Sequence, residues 1–528
     1  MKWKKIAKRK LLLVKLIMGT YFLIVCGTLF SRCIIKLEVN KANFSNKVEY
    51  PPVLYDRNGE IIAFNLPTVS VYTFVKKLRG DHSEISTKLA EALLNTSRQE
   101  LMKKFASTEG FVWLKRYLTP NELHRILLLG MPGLYFREEH KRVYISRNLF
   151  AHVLGYVDND NLGIAGFEYY LHSKKNPQTY KDGVHLSLDS RVQAVLRSAM
   201  QEAIERFDAI GAAGIVMDAN TGEVIALVSL PDFDPNHVQL SREEERFNRV
   251  SLGRYEFGSI MKIFTVACAM ENGVISGEDT YDVVTPLKIS GYTIKDLYKA
   301  RKSIYNVAEI LKYSSNVGMA QIAMKMGSEV QYNCFQELGF FDDIKFEIPE
   351  KSIPSRPKES RLTSVTLSYG YGFTPTLLHV MKATAILIND TGCLPTITLL
   401  KGNKENNTCI PVIREEVRKE MRKFMRGVVL DGSGRRADAV GYQVGGKTGS
   451  SEKNINGIYL KDKNLASFVA VFPMENPRYV IGISVDEPKS SRAVTGGVVS
   501  APIAKKVIMY MAPLMNIKPV NDIKRLRS

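Results

Sequence analysis

The chain has 528 residues and a formal net charge of +19, with 45% apolar and 24% charged residues. These fractions belong to a folded protein of two or more domains and exclude a disordered or low-complexity chain. The charge forms no single basic stripe with interleaved aromatics, so a nucleic-acid partner is not expected. Part of it sits at the two ends, in residues 2–10 and in Lys518, Lys524, Arg525 and Arg527, where a membrane surface or an anionic substrate accounts for it.

Residues 1–10 carry Lys2, Lys4, Lys5, Lys8, Arg9 and Lys10 and no acid. They read as a basic cytoplasmic tail. The next stretch, 11–33, is apolar over about the 20 residues that cross a bilayer as a helix. Lys15 lies one turn inside, where its stem can snorkel to the headgroups. The flank predicts the N-terminus inside and the bulk of the chain outside the inner membrane. A cleaved signal peptide fits poorly, because Cys26-Gly27-Thr28-Leu29-Phe30 is not a small-residue cleavage site. Bulky Val25 argues against a lipoprotein anchor at Cys26, so an uncleaved single-pass anchor is expected.

The six cysteines (Cys26, Cys33, Cys268, Cys334, Cys393 and Cys409) show neither Cys-x-x-Cys nor a Cys/His metal spacing. A Cys393–Cys409 bridge is open in an oxidising compartment. We read the six as buried free thiols.

Residues 53–63 read as two strands around Arg57-Asn58-Gly59, Asn-Gly being a strong hairpin signal. A helix is expected over 85–94. Another opens at Thr119-Pro120-Asn121-Glu122, where Thr119 as N-cap and Glu122 three residues on form a capping box with Pro120 in the first turn. Polar, turn-rich sequence follows to Gly166. Residues 40–180 hold no cluster of chemically active side chains and read as a non-catalytic spacer, a pedestal. After alternation at 184–189, a helix is expected over Ser190–Phe207, capped by Asp189 or Ser190. Residues 213–218 and 222–228 are β-rich runs around a polar turn. Residues 465–472 and 479–485 give two more strands, and a final helix follows from Ala501. This pattern predicts an α+β domain over 184–515, an antiparallel sheet flanked by helices, with a basic tail at 516–528.

Inside that domain stand Ser259-Ile260-Met261-Lys262, then Ser314-Ser315-Asn316, then Lys447-Thr448-Gly449-Ser450. Ser259 and Lys262 are three residues apart, so on a helix they share a face. A serine hydroxyl needs an adjacent base, and a lysine serves when burial lowers its pKa. The following run, 263–270, is apolar nearly all round and reads as a buried helix. Singly, each motif is a common tetrapeptide or tripeptide, and Ser146-Arg147-Asn148 also matches Ser-x-Asn. Order and separation, 55 and then 133 residues, carry the specificity. Ser-x-x-Lys, Ser-x-Asn and Lys-Thr-Gly in that order are the signature of serine β-lactamases and penicillin-binding proteins.

The chain resembles the class B penicillin-binding proteins, and closely the septal, division-specific transpeptidases. The likeness extends beyond the motifs, to Asp56-Arg57-Asn58-Gly59, Phe111-Val112-Trp113-Leu114-Lys115-Arg116, Ala151-His152-Val153-Leu154-Gly155-Tyr156, Asn248-Arg249 and Gly496-Gly497. The resemblance implies that Ser259 is acylated by a donor stem peptide with loss of D-alanine. Lys262 would be the general base, Ser314 a proton relay between Lys262, Lys447 and the leaving group, and Asn316 a holder of the substrate amide. Lys447, Thr448 and Gly449 would lie on an edge strand, with Thr448 and Ser450 binding a carboxylate and the N–H groups of Ser259 and Ser450 forming an oxyanion hole. It further implies β-lactam binding, peptidoglycan stem peptides or their lipid-linked precursor as substrate, and membrane partners: a polytopic SEDS-type glycosyltransferase and other divisome proteins. No metal or organic cofactor is implied. The sequence departs from the family at Phe257, where Pro is usual, at Ile260 and Met261, at Ser450, where Thr is usual, and over 339–350.

Rival readings are weaker. No histidine lies near these motifs, and no Gly-x-Ser-x-Gly elbow occurs, which argues against a Ser-His-Asp hydrolase. The pedestal and anchor suit a fixed transpeptidase better than a β-lactamase. A sensor with a zinc-protease half needs His-Glu-x-x-His, which is absent. A decayed divisome scaffold would have lost some of five interdependent residues. An elongation-specific enzyme remains the alternative to a septal one.

Overall fold

Two five-stranded sheets organise the chain. The structure is a computed structural model and describes residues 18–22 and 50–520, apart from 108–109, 175–179, 181, 394–395, 403–409 and 491–493. The described residues from Pro51 onward group as one compact unit. Of the expected anchor, only 18–22 are described; they are helical and exposed. Among the described residues no helix is long and apolar enough to cross a membrane.

The first sheet contains β1 (Leu54–Tyr55), β2 (Ile61–Phe74), β3 (Phe111–Leu118), β4 (Leu134–Tyr144) and β5 (Val184–His185). Its path is β3-β2-β1-β5, with β4 also on β2. The β1–β2 hairpin forms at the expected Asn-Gly. Asp56 accepts the N–H of Asn58 at 2.7 Å and of Glu60 at 3.0 Å, and Gly59 takes φ +89°, a conformation that favours glycine. Helices α1 (His82–Ala92), α2 (Arg98–Ser107) and α3 (Pro120–Leu128) cover one face, burying Val71, Leu89, Leu101, Leu114 and Ile126 together. The capping box of α3 is present as expected: Thr119 and Glu122 satisfy each other's backbone N–H.

The second sheet runs β12-β13-β14-β6-β7, antiparallel throughout. Its members are β6 (Gly211–Asp218), β7 (Val224–Leu230), β12 (Gly445–Ile455), β13 (Ile458–Phe472) and β14 (Tyr479–Asp486). Every residue of β6, β7 and β14 is buried, because helices cover both faces. On one lie α4 (Ser190–Phe207), capped by Asp189, and the C-terminal helix α12 (Gly496–Leu514). Against the other pack α5 (Met261–Glu271), α6 (Val307–Tyr313), α7 (Asn316–Met326), α8 (Ser328–Glu337), α9 (Arg361–Ser368), α10 (Leu377–Ile388) and α11 (Glu415–Leu430). The antiparallel pair β8 (Thr280–Asp282) with β11 (Ile304–Asn306), and the short hairpin β9 (Leu287–Ile289) with β10 (Tyr292–Ile294), fill the segment between α5 and α6.

Three expectations need correction. Strand β13 begins at Ile458, seven residues before the expected start, because Asn456 and Gly457 both take positive φ and close a two-residue hairpin with Ile455 opposite Ile458. Helix α12 begins at Gly496 rather than Ala501. The free-thiol reading fails: Cys268 of α5 is bonded to Cys334 of α8, Cα atoms 5.9 Å apart. Cys393 is disulfide-bonded as well; Cys409, its candidate partner, lies outside the described residues. A pair 66 residues apart in sequence leaves no spacing signal, since only helix packing brings it together.

Candidate active site

Ser259 sits in a single 3₁₀ turn, Gly258–Ile260, that feeds directly into α5. The turn is wedged against strand β12. Gly258 has φ +54°, and a Cβ there would lie 2.5 Å from the Ser450 carbonyl oxygen. A Cβ on Gly449 would lie 2.3 Å from the Phe257 carbonyl oxygen. Both positions therefore require glycine, and the backbone of Ser450 faces the Ser259 turn. The N–H of Ser259 belongs to the first turn of a helix, where donors lack intrahelical partners. Phe257, Ile260 and Met261, where the sequence departs from its relatives, are fully buried, and Ile260 packs against Gly449. Those differences are absorbed by the core beneath the turn.

Glu256 ties the turn to its surroundings. Its Oε1 accepts the N–H of Gly372 at 2.7 Å and the Tyr459 hydroxyl at 3.0 Å. Ser451 Oγ donates to the Glu256 carbonyl.

Lys262 is fully buried on α5. Its Nζ lies 2.6 Å from the Ser314 carbonyl oxygen, 3.1 Å from Ser314 Oγ and 2.7 Å from Asn316 Oδ1. No hydrogen bond joins it to Ser259. Ser314 ends α6 in the left-handed conformation, φ +63°, Ser315 caps α7 by accepting the Gly318 N–H at 3.0 Å, and Asn316 begins α7. The tripeptide is thus the joint between two helices, which is why both its outer side chains reach the same lysine. Asp296 accepts the N–H groups of Asn316 and Val317 at the N-terminus of α7, where a carboxylate is favourable.

Lys447, the second fully buried lysine, comes from β12. Its Nζ donates to Ser314 Oγ at 3.1 Å and to the Thr448 carbonyl at 3.1 Å. Two lysines therefore converge on one serine hydroxyl. Burial, and next the charge of Lys447, push the Lys262 ammonium well below its ordinary pKa against the opposing pull of Asp296. Burial pushes Lys447 down to about 7. A neutral Lys262 has two N–H groups for the Ser314 carbonyl and Asn316 Oδ1, which leaves its lone pair for a hydroxyl proton.

Thr448 Oγ1 lies 2.9 Å from Ser433 Oγ, and Ser450 Oγ accepts the Gly496 N–H at 3.0 Å. A Cβ on Gly496 would lie 2.4 Å from the Gly449 carbonyl oxygen, so the start of α12 closes tightly beneath the strand. Strand β12 pairs with β13 alone and is an edge among the described strands. It can accept an extended peptide by strand addition.

All eight sequence-derived positions thus meet in one cleft, Ser259, Lys262, Ser314 and Asn316 on one wall and Lys447, Thr448, Gly449 and Ser450 on the other. Sequence reasoning missed Asp296, Ser433 and Glu256. A lone acid among Lys288, Lys295, Lys299, Arg301 and Lys302 could have flagged Asp296. Nothing local marks Ser433, whose role depends on contact with β12.

The penicillin binding protein transpeptidase domain matches residues 212–509, and the penicillin-binding protein dimerisation domain matches 53–191. The chain is 34% identical over 488 residues to the probable peptidoglycan D,D-transpeptidase FtsI of Caulobacter vibrioides, covering 89% of this chain and 82% of that protein. It is 30% identical over 510 residues to the probable peptidoglycan D,D-transpeptidase PenA of Neisseria gonorrhoeae, covering 89% and 85%. Among solved structures, a peptidoglycan synthetase from Bifidobacterium adolescentis superposes with a TM-score of 0.68 at 19% identity, covering 89% of this chain and 96% of that one, which shows the shared fold. With its dimerisation and transpeptidase domains in one chain, the protein belongs to the class B penicillin-binding proteins.

Proposed function

We propose that the chain is a peptidoglycan D,D-transpeptidase that cross-links stem peptides at the division septum through an ester on Ser259. The observation that carries the chemistry is the convergence of Lys262 and Lys447 on Ser314, behind a serine at the head of a buried helix and beside an open strand edge. Ser259 Oγ attacks the carbonyl of the donor's penultimate D-alanine, and neutral Lys262 takes its proton. Ser314 passes a proton between the lysines and on to the departing amine, so the C–N bond breaks and D-alanine leaves. An acceptor amine then attacks the ester, forming the cross-link and restoring the serine. The N–H groups of Ser259 and Ser450 stabilise the oxyanion, a contribution of about 3–4 kcal/mol per donor. Asn316 holds the donor amide. Thr448, Gly449 and Ser450 bind its backbone and terminal carboxylate, with Lys447 charged when the carboxylate is present.

The same reading divides the chain into a tail (1–10), an anchor (11–33), a pedestal (40–180), the catalytic domain (184–515) and a basic end (516–528). The basic flank before the apolar run supports an N-terminus in the cytoplasm and a catalytic domain facing the cell wall. The division role and the partners, a SEDS-type glycosyltransferase and other divisome membrane proteins, follow from the likeness to FtsI proteins.

The test uses the full chain in membranes with a fluorescent penicillin. Wild type forms a stable covalent adduct and Ser259→Ala forms none. Equal labelling of the variant, or no labelling of wild type, sinks the nucleophile assignment, and release of the drug within minutes favours a β-lactamase. A fluorescent fusion spread along the side wall, rather than at mid-cell, sinks the septal role.

A further inference from the structure

Helices α1–α3 cover one face of the pedestal sheet and leave the other open. Alternation along the strands sends Val71 and Leu114 into the core beneath those helices and turns their neighbours the other way. On the outer face stand Tyr72 and Phe74 of β2, Phe111 and Trp113 of β3, and Tyr135 of β4. Register places Trp113, Tyr72 and Tyr135 in one row across the three strands, with Phe111 beside Phe74 in the next. The Tyr72 ring lies 5.4 Å from Tyr135, 5.6 Å from Trp113 and 5.1 Å from Phe111. These rings pack on one another, yet Phe111 is 45% exposed and the other four are only half-buried. The platform is two strand separations wide, about 10 Å.

Its chemistry says what would rest there. Neither row contains an aliphatic side chain of the kind that interdigitates with a partner protein. The Tyr72 and Tyr135 hydroxyls and the Trp113 indole N–H have no hydrogen-bond partner among the described residues. Two exposed cations flank the rings. Lys77 Nζ lies 5.0 Å from the Phe74 ring centroid and 5.5 Å from that of Tyr135, and Arg137 follows Tyr135 by two residues on the same face. Neither meets a carboxylate among the described residues. Arg116 differs, since it lies over Trp113 but is ion-paired to Glu139 and Asp160. A pyranose ring turns a C–H face to an aromatic ring, while its hydroxyls and N-acetyl carbonyl use donors at the ring edges. Free cations beside the rings add sites for carboxylates. A second copy of the chain suits the face less, because an isologous contact would bring the free cations of both copies together.

We infer that this face is a docking platform for a glycan strand of peptidoglycan. Its rings stack on the N-acetylated sugars, and Lys77 and Arg137 meet carboxylates of the attached stem peptides. The inference rests on the peptidoglycan reading above and extends it from the reacting peptide to the polymer that carries it.

Trp113 reports on the platform directly, since the only other tryptophan of the chain is Trp3. The full chain with Trp3→Phe is held in detergent micelles, its catalytic serine acylated beforehand with penicillin. The probe is a short peptidoglycan oligomer with tripeptide stems, which lack the D-alanines of a donor. It should quench Trp113 emission saturably. Lys77→Glu combined with Arg137→Glu should unfold at the wild-type temperature and bind the oligomer about tenfold more weakly, as two exposed charge contacts allow. A peptide-free N-acetylglucosamine oligomer should bind both proteins equally and lose affinity in Tyr72→Ser. Unquenched Trp113, a Kd unchanged in the double variant, or free tripeptide binding as tightly as the oligomer overturns the proposal. So do wild-type dimers in sedimentation that Tyr72→Ser disperses, which would make the face a contact between copies. Saturable quenching in Ser259→Ala with unlabelled wild type condemns the nucleophile and keeps the platform; normal labelling without quenching does the reverse.

Discussion

The pedestal and the cleft around Ser314 bury charge in opposite ways. In the pedestal, buried cations meet carboxylates: Arg142 Nε lies 2.7 Å from Glu168 Oε1, both side chains almost fully buried, and Arg116 and Lys115 are each 2.7 Å from Glu139 and Glu122. Glu122 also accepts the N–H of Leu94 and of Thr119. In the catalytic cleft, Lys262 and Lys447 share one hydroxyl and no carboxylate bonds to either. The consequence shows in titration. Burial alone would raise the Glu122 pKa, but the hydrogen bonds from Lys115, Thr119 and Leu94 outweigh it and hold the carboxylate down at about 2, so its charge supports the fold. Burial of Lys447, unopposed, takes it down to about 7, so its charge works against the fold. Paired burial holds a charge in place; unpaired burial makes it easy to lose.

Removing the unpaired amine as a base is the sharpest way to break that contrast. Lys262→Arg keeps a cation that stays protonated in the same place, and acylation by fluorescent penicillin should fall about 10³-fold above the lowered Lys262 pKa. In wild type the rate should fall on the acid side, as pH drops through the lowered Lys262 pKa; a Lys262→Arg enzyme of near-normal rate would refute the base.

The Cys268–Cys334 bond braces the helix that carries Lys262. Replacing both cysteines with alanine should cost the catalytic domain ~4 kcal/mol, as expected for a loop of this length, while the pedestal's unfolding is unmoved. Denaturant unfolding of wild type and the double variant without reductant measures it, and a change confined to the pedestal would contradict the assignment.

Glu122→Gln tests the paired case. It should cost ~1–2 kcal/mol at neutral pH through the weakened capping box and the lost Lys115 pair, with no change in acylation rate. The Glu122 pKa is lower folded than unfolded, so its charge contributes fully above about 4.5 and is lost as pH falls toward about 2. The difference between variant and wild type should close over that window in thermal unfolding.

Lys447→Met should do the opposite, abolishing acylation yet raising Tm by roughly 1–2 °C, as expected for relief of about 1 kcal/mol in a domain of this size. Here the folded pKa of about 7 lies below the ordinary 10.5. The penalty is complete below about pH 7 and is relieved as pH rises toward 10.5. The gain in Tm should therefore shrink across that range, and a pH-independent gain would mean that packing, not charge, explains it.

Much of this was legible in the residues. The Asn58-Gly59 hairpin, the Thr119–Glu122 capping box, the Asp189 cap of α4 and the all-round apolar α5 depend on neighbours within a few positions, so local patterns reveal them. The three catalytic motifs were found because their order is readable even though their contacts are not. The Asn456-Gly457 turn carried the same hairpin signal as Asn58-Gly59 and was passed over, because the polar strands beside it show no alternation to frame it. The disulfide, Asp296, Ser433 and Glu256 were beyond reach for another reason: each acts on a partner in another element, from 15 residues away for Ser433 to 203 for Glu256.

The sequence by itself determined which side chains are available: a serine and a lysine one helical turn apart, two further motifs in order, and a helix too apolar to lie on a surface. Only the tertiary structure decided that the two lysines end on one serine without a carboxylate between them. It also decided that glycine alone lets β12 close on the Ser259 turn. Residue identity is local, whereas a lowered pKa is a property of what surrounds a group, and those surroundings come from strands and helices that only folding brings together.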